Sequence, residues 1–259
     1  MTKITKLVLP VAGVGERLKP LTLNCPKALV KVNGQCILDY ALDEAKGTNI
    51  NEVILIISPQ HKEFFEKYLR DNRLRFSGLI FHIRIQEEPF GSGHAVLQAK
   101  DFVRGEPFIV RYVDDLLIDK VSPLRSFSEI FDKYLSPVLI LGRVPEEIVS
   151  RYGVVSAEKL SDEGMYKIGG LVEKPKREEA PSNLTVIGGY VLTPEVFRFL
   201  EELEKSYNRV KDGFKINDAF NMYMANGGDL YGWEFLGKRL DCGTLEGLEA
   251  AGEYLKSNR

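Results

Sequence analysis

The chain has 259 residues, with 35 lysines and arginines against 37 aspartates and glutamates, so its formal net charge at pH 7 is −2. A chain of this length buries about 75% of the surface that it exposes when unfolded, and it therefore needs no disulfide or metal to stabilise its core. A charge so close to neutral argues against a general nucleic-acid-binding surface, so any site for phosphate groups must be local.

The three cysteines, Cys25, Cys36 and Cys242, form neither a CxxC pair nor an even disulfide framework. Their number and spacing favour a reducing compartment and argue against structural zinc. The N-terminal MTKITK leads into an apolar run without the pattern of a signal peptide, and no apolar run is long enough to span a membrane. The sequence therefore predicts a soluble, cytoplasmic protein that binds neither nucleic acid nor membranes.

Short apolar runs rich in β-branched residues recur along the first part of the chain and alternate with stretches of helical spacing. The predicted strands here are KLVLPVA, EVILIIS, LIFHIRI, PFIVRYV and SPVLILG. Helices are predicted at 37–45, 60–71 and 91–102. This alternation is typical of a doubly wound, mostly parallel sheet.

The pattern changes after residue 145. Residues 152–175 predict a β-hairpin around a polar turn. TVIGGYVL predicts a strand, which leads through Thr193 as N-cap and Pro194 as first helical residue into a helix. KRLDCGTLEGLEAAGEYLKS predicts a strand, a glycine turn and a closing helix. We expect an α/β fold in a single domain over 1–259, namely a Rossmann-like three-layer α/β/α sandwich with a mixed, mostly parallel sheet and a small β-hairpin subdomain.

The loop after the first strand, AGVGER, contains Gly13, Gly15 and Arg17. A dinucleotide fingerprint and a P-loop both require a glycine where Leu18 stands, so neither motif is present. The two glycines would let a ligand approach the backbone N–H groups, and the forked guanidinium suits phosphate oxygens. A tight turn beside a solvated arginine would explain this stretch equally well.

Three further polar stretches accompany the predicted elements. CPKAL presents Lys27 on a loop ordered by a proline, YVDDLL places Asp114 and Asp115 after a strand, and RLDCGT places Asp241 after another. Ligands of open parallel sheets bind beyond the carboxyl ends of the strands, and carboxylates are natural ligands of Mg²⁺. Each aspartate alone could be a turn former, but together these residues predict a site where Mg²⁺ and basic side chains neutralise a polyphosphate.

Six motifs, taken in chain order, resemble those of the sugar-phosphate nucleotidyltransferases, and the resemblance spans nearly the whole chain. The motifs are AGVGER, CPKAL, GSGHAV, YVDD, VEKP and LDCGT. The most specific piece, LVEKPKREEAPSNLTVIGGYVLTPEVF, resembles the version found in UTP–glucose-1-phosphate uridylyltransferases. A Rossmann-like fold and nucleotidyl transfer are therefore what the resemblance implies.

The resemblance also implies roles for individual residues. Those implied for nucleotide binding are Ala12, Gly13, Gly15, Gln86 and Gly91, and those implied for the sugar phosphate are Gly153, Glu173, Lys174 and Gly188. Arg17 and Lys27 are implied as catalytic groups on the phosphates, and Asp114 and Asp241 as ligands of Mg²⁺, with Asp115 as the alternative to Asp114. Neighbouring strand side chains point to opposite faces, so Glu173 and Lys174 can both reach a substrate only if the strand bends before Pro175.

The reaction that the resemblance implies is attack of a glucose 1-phosphate oxygen on the α-phosphorus of UTP, which gives UDP-glucose and pyrophosphate. The attacking oxygen is already anionic, so we expect alignment and charge neutralisation rather than a general base. A thymidylyltransferase is an alternative, because uracil and thymine present the same edge to Gln86. A sugar-nucleotide sensor without activity is another. The expected division places the nucleotide mainly on 1–145 and the sugar mainly on 146–259, in a homo-oligomer, dimer or tetramer.

Overall fold

The structure is a computed structural model that describes residues 3–160, 163–206 and 213–258. The strands within these ranges are β1 (Lys6–Pro10), β2 (Lys31–Val32), β3 (Gln35–Cys36), β4 (Glu52–Ile57), β5 (Ile80–Ile85), β6 (Phe108–Arg111), β7 (Asp115–Ile118), β8 (Val138–Arg143), β9 (Gly153–Lys159), β10 (Met165–Glu173), β11 (Leu184–Leu192), β12 (Tyr231–Glu234) and β13 (Lys238–Asp241). The α-helices are α1 (Ile37–Glu44), α2 (Lys62–Asp71), α3 (Gly91–Leu97), α4 (Lys100–Val103), α5 (Pro123–Tyr134), α6 (Val196–Ser206), α7 (Ile216–Ala225) and α8 (Leu245–Ser257).

The described strands form a nine-stranded sheet in the order β5-β4-β1-β6-β11-β8-β12-β10-β9. Strands β5, β4, β1 and β6 pair in parallel, as do β8 and β12. Strands β10 and β11 run antiparallel to their neighbours. The fold is therefore α/β with a mixed sheet, as the sequence predicts, although the neighbouring strands of the described sheet form as many antiparallel as parallel pairs.

Helices cover both faces of this sheet. Leu7 and Leu9 of β1 pack into one core with residues of α1, α2, α5 and α8, whereas Val8 packs into a second core with residues of α3, α6 and α7. Successive side chains of a strand point to opposite faces, so each core lies on its own side of the sheet. Burial on both faces explains why the central strands are continuous apolar runs in the sequence.

The predicted hairpin is present as β9 and β10, which pair antiparallel. Its expected turn includes residues 161–162, which lie outside the described residues. Strand β10 also pairs with β12, so the hairpin continues the edge of the main sheet instead of standing apart as a subdomain.

The structure corrects two predictions about helices. The helix predicted over 91–102 is interrupted, because α3 ends at Leu97 and α4 begins at Lys100. The prediction of Thr193 as an N-cap is wrong, since α6 begins only at Val196 and the buried Thr193 hydroxyl has no hydrogen-bond partner among the described residues. The backbone carbonyl of Thr193 instead accepts from the Val196 N–H at 3.2 Å, which forms a turn before the helix.

A small antiparallel pairing of β7 and β13 lies outside the nine-stranded sheet and places Asp115 opposite Asp241. It therefore brings together two aspartates that are more than a hundred residues apart in the sequence. None of the helices in the described parts of the chain combines the length and apolar character that crossing a membrane requires.

Candidate active site

A cleft of about 360 Å³ lies where β1 and β6 end, with Pro10 and Val113 in its lining. The predicted site residues that line it are Ala12, Gly13, Lys27, Gln86, Gly91 and Asp114. Apart from Gln86, they come from four separate motifs of the sequence. The structure therefore brings the predicted nucleotide residues and one predicted metal ligand to one space at the carboxyl ends of the strands.

The two glycines of the AGVGER loop have different structural roles. Gly15 has φ +69, and a Cβ added there would lie 2.8 Å from Cγ2 of Thr22, whose hydroxyl donates to the Gly15 carbonyl at 2.9 Å. Gly15 therefore closes the turn and lies outside the lining of the cleft. Gly13 is exposed, lines the cleft and has open space around its Cβ position, so a ligand can approach its backbone there.

The amide of Gln86 is buried at the wall of the cleft and is held by neighbouring groups. Its Nε2 lies 2.9 Å from Nδ1 of His94 and 3.4 Å from the carbonyl oxygen of Gly91. Its backbone N–H donates to the Ile57 carbonyl at 2.8 Å. His94, whose spacing from other residues in the sequence indicates no metal site, thus has a contact role that sequence reasoning missed.

Gly91 has φ +93 and begins α3 against the segment that precedes α7. A Cβ at Gly91 would lie 2.5 Å from the carbonyl oxygen of Phe214, so only glycine permits this approach. The adjacent Ser92 accepts a hydrogen bond from the Ile216 N–H at 3.2 Å. The two contacts fix α7 to the start of α3.

Lys27 and Asp114 form an ion pair at the lining of the cleft, with 2.5 Å between Nζ and Oδ2. Burial opposes ionisation of Asp114, but Lys27 and more distantly Arg17 outweigh it and lower the pKa of the carboxyl below its ordinary value. The carbonyl oxygen of Asp114 accepts the Cys242 N–H at 2.7 Å, which joins the YVDD segment to the LDCGT segment.

Three predicted side chains meet around Gly243. A Cβ added there would lie 2.8 Å from Oδ1 of Asp241, 3.1 Å from Nη2 of Arg17 and 3.5 Å from Oδ2 of Asp114. The glycine is therefore needed to keep this space open. Arg17 is exposed and does not line the larger cleft. Its guanidinium instead lies beside Gly243.

The two aspartates of YVDD have different partners. Asp115 accepts from Nε of Arg239 at 2.7 Å and from the Gly188 N–H at 2.8 Å, so protein groups occupy both carboxylate oxygens. Asp114, by contrast, lines the larger cleft. Asp241 accepts from the Gly243 N–H at 2.8 Å and from the Tyr152 hydroxyl at 3.3 Å.

The carboxylates near Gly243 could supply some, but not all, of the ligands of an Mg²⁺ ion. Within the described ranges, no group of three or more His, Cys, Asp or Glu residues could by itself hold a metal ion. Mg²⁺ commonly takes only one or two protein carboxylates and completes its shell with substrate phosphates and water. Asp114 and Asp241 therefore fit an Mg²⁺ ion that is bound together with a polyphosphate.

A smaller cleft of about 170 Å³ adjoins the larger one, because Ser92 and Tyr112 line both. The predicted sugar-side residues in its lining are Gly153, Glu173 and Gly188. Lys174 lies outside this lining, although its Nζ lies 4.0 Å from Oε1 of Glu173. The backbone at Lys174 has φ +47, which differs from that of a strand. Strand β10 ends at Glu173, so the chain bends before Pro175 as predicted.

Gly188 lies at a shift of register in β11, between Val186 and Tyr190. It has φ +59, and its carbonyl oxygen accepts from the Tyr112 N–H at 2.8 Å and from Nη1 of Arg111 at 2.7 Å. The regular pairing of β11 with β8 is interrupted here, and Gly188 lies in the lining of the smaller cleft.

Sequence reasoning missed several residues that shape the site. They are Ser92, His94, Arg111, Tyr112, Asn217 and Arg239. A charged residue inside an otherwise apolar strand, as Arg111 is in PFIVRYV, is a signal that could have marked one of them. Ser92, His94 and Tyr112 lie within the GSGHAV and YVDD motifs, whereas Asn217 and Arg239 carry no comparable local signal.

The family model described as "Nucleotidyl transferase" matches residues 6–258. The chain is 32% identical to a UTP–glucose-1-phosphate uridylyltransferase of Pseudomonas aeruginosa, over 98% of this chain and 97% of the relative. It is also 32% identical to a protein of the same name from Bacillus subtilis, over 95% and 89% of the two chains. A solved UDP-glucose pyrophosphorylase complexed with UDP-glucose matches with a TM-score of 0.88 and 32% identity, over 99% of this chain and 100% of that chain. The chain therefore belongs to the nucleotidyl transferase family.

Proposed function

We propose that the protein transfers the uridylyl group of UTP to glucose 1-phosphate and so makes UDP-glucose and pyrophosphate. The observation that carries this proposal is the junction of the two clefts, whose shared lining is Ser92 and Tyr112. A nucleotide in the larger cleft and a sugar phosphate in the smaller one would meet at this junction. Full-length relatives named for this activity support the assignment.

The two clefts also support the assignment of the two substrates to different parts of the chain. The larger cleft is lined by residues between Pro10 and Asp114, which we assign to UTP. The smaller cleft is lined mainly by residues from Gly153 to Asn217, which we assign to glucose 1-phosphate. The smaller cleft draws mainly on residues of β9, β10, β11 and α7, whereas the larger one includes the segments that follow β1 and β6.

Charge neutralisation is the chemistry that the chain itself can supply. The attacking phosphate oxygen is anionic, so no group has to remove a proton from it. Lys27 lines the nucleotide cleft and Arg17 reaches the space beside Gly243, so both can bind phosphate oxygens as negative charge shifts to the leaving pyrophosphate. Mg²⁺ held by Asp114 and Asp241 would supply further positive charge to the triphosphate.

The Gln86 amide supports a uracil nucleotide over a cytosine nucleotide. Its Nε2 faces His94 and Gly91, which leaves Oε1 as the group that can accept a hydrogen bond from a base. Uracil carries an N–H donor at its ring position 3, whereas cytosine carries an acceptor there. A site with a buried acceptor rejects the base that cannot donate to it.

The experiment that tests the proposal is pyrophosphate release from glucose 1-phosphate and Mg²⁺ with UTP, dTTP, CTP, ATP and GTP supplied separately. We expect UTP to give the highest kcat/KM. Equal or better use of dTTP would move the assignment to a thymidylyltransferase. Absence of release with every nucleotide, with UDP-glucose still bound, would make the protein a sensor.

A further inference from the structure

Asn217 is the second residue of α7 and lies in the lining of the smaller cleft. Only 5% of its surface is exposed, and its Oδ1 has no hydrogen-bond partner among the described residues. A buried acceptor without a partner is destabilising, and native proteins rarely keep one without a reason. The cleft in front of this oxygen offers such a reason.

The orientation of the Asn217 amide is fixed by Glu173. Its Nδ2 donates to Oε2 of Glu173 at 2.7 Å. An ionised carboxylate can only accept hydrogen bonds, so the amide nitrogen must face Glu173 and Oδ1 must point elsewhere. A Cβ at Gly153 would lie 2.4 Å from this Nδ2, so the glycine preserves the arrangement.

The two residues are also held on fixed elements. One turn further along α7, the Asn221 amide accepts from the Leu171 N–H at 3.1 Å and donates to the Leu171 carbonyl at 2.9 Å. Leu171 lies two residues before Glu173 on β10, so α7 and β10 are joined next to the cleft. Asn217 and Glu173 therefore present two neighbouring acceptors on a rigid support.

We infer that Oδ1 of Asn217 accepts a hydrogen bond from a sugar hydroxyl next to the one bound by Glu173, and so determines which sugar 1-phosphate the protein uses. The ligand class is a hexose 1-phosphate with two neighbouring hydroxyl donors, because two acceptors side by side call for two donors. This inference rests on the proposed function and assigns its sugar specificity to a residue on α7.

The test compares the wild type with Asn217→Ala on glucose 1-phosphate and its 2-, 3-, 4- and 6-deoxy analogues, with UTP saturating. In the wild type, we expect removal of the hydroxyl that Asn217 binds to lower kcat/KM about tenfold. In Asn217→Ala, we expect kcat/KM for glucose 1-phosphate to fall by about the same factor. The kcat/KM for the analogue that lacks this hydroxyl should not fall further. The KM for UTP stays unchanged.

Asn221→Ala is the matched control. It removes the contact to Leu171 from the same helix without touching the cleft, so we expect lower thermal stability with every deoxy penalty retained. Should Asn217→Ala not fold, Asn217→Ser removes the same Oδ1 with a shorter, uncharged side chain, and we expect it to lose the same deoxy penalty.

Each result separates this inference from the proposed function. A wild type that releases no pyrophosphate from any sugar 1-phosphate contradicts the proposed function and the inference with it. An active wild type whose deoxy penalties are all unchanged in Asn217→Ala overturns the inference alone, because Oδ1 then binds no sugar hydroxyl. Retention of every deoxy penalty in Asn217→Ser also counts against it.

Discussion

The guanidinium of Arg111 binds both carboxylate oxygens of Glu44 in the interior, with Nε–Oε2 at 3.0 Å and Nη2–Oε1 at 2.7 Å. Burial raises the pKa of Glu44, while Arg111 favours the ionised form and provides its charge partner. Arg111, which is 1% exposed, donates further to backbone carbonyls of Tyr112, Asp115 and Gly188. One ion pair thus supports both the YVDD loop and the irregular point of β11.

Arg111→Met should separate stability from positioning. It leaves Glu44 buried without its cation, so we expect the free energy of unfolding to fall by about 3–5 kcal/mol. The double variant Arg111→Met/Glu44→Met should recover much of this loss, because an apolar pair can replace a buried ion pair. Its kcat should still be low, since the carbonyls of Asp115 and Gly188 lose the hydrogen bonds from Arg111 and Gly188 keeps only the one from the Tyr112 N–H. Denaturant titration and steady-state kinetics measure the two effects. Wild-type kinetics in the double variant would make the pair purely structural.

Asp241→Asn should remove most turnover while the fold is kept, because Asp241 lies beside Gly243 with Asp114 and Arg17. We expect kcat to fall roughly 100-fold and the Mg²⁺ concentration for half-maximal rate to rise. Pyrophosphate release over a range of Mg²⁺ concentrations measures both quantities, and chelation with EDTA should stop release in the wild type. Near-normal activity of Asp241→Asn would remove this residue from the metal site.

Gly153→Ala should affect the sugar and spare the nucleotide. The added Cβ would lie 2.4 Å from Nδ2 of Asn217 and would push the amide away from Glu173. We expect the KM for glucose 1-phosphate to rise several-fold, with the KM for UTP unchanged. Gly170→Ala in β10 is the control, because its Cβ would meet nothing within 4 Å. An equal rise in both KM values would show a general distortion of the site.

The cysteines should react slowly in the native protein. Burial raises the pKa of Cys242 to about 12 and, with Asp39 adding to the effect, that of Cys36 to about 11. At pH 8 both side chains are therefore neutral thiols, and only the thiolate is nucleophilic. Iodoacetamide should label them much more slowly than in urea, with the rate for Cys36 rising toward pH 11. Rapid labelling of Cys242 at pH 8 would contradict its burial.

The central strands could be predicted because burial on both faces leaves an unbroken apolar run, as in β1 and β4. Strands β7 and β12 were not predicted, since β7 begins at the second YVDD aspartate and pairs with a distant segment, and β12 (YGWE) contains no apolar run. Helix α7 was missed because Asn217 and Asn221 interrupt its buried face. These amides are there to contact β10, which a local pattern cannot reveal.

The candidate site shows the same limit. The motifs predicted that Gly13, Lys27 and Asp114 lie together, and the structure places all three in the lining of one cleft. The choice between Asp114 and Asp115 could not be made from sequence, because it depends on Arg239, which is 124 residues from Asp115. Contacts over such separations are set by the fold, and nothing in the YVDD segment itself encodes them.

Gly188 is bound at both its polar backbone groups, since its N–H donates to Asp115 and its carbonyl accepts from Arg111 and from the Tyr112 N–H. It cannot rotate without breaking all of these bonds at once. This part of the pocket is therefore preorganised, and a ligand that binds against it loses little affinity to the ordering of the protein. Gly13 lines the larger cleft, is exposed and has open space around its Cβ position, so no side chain of its own restricts the approach of a ligand there.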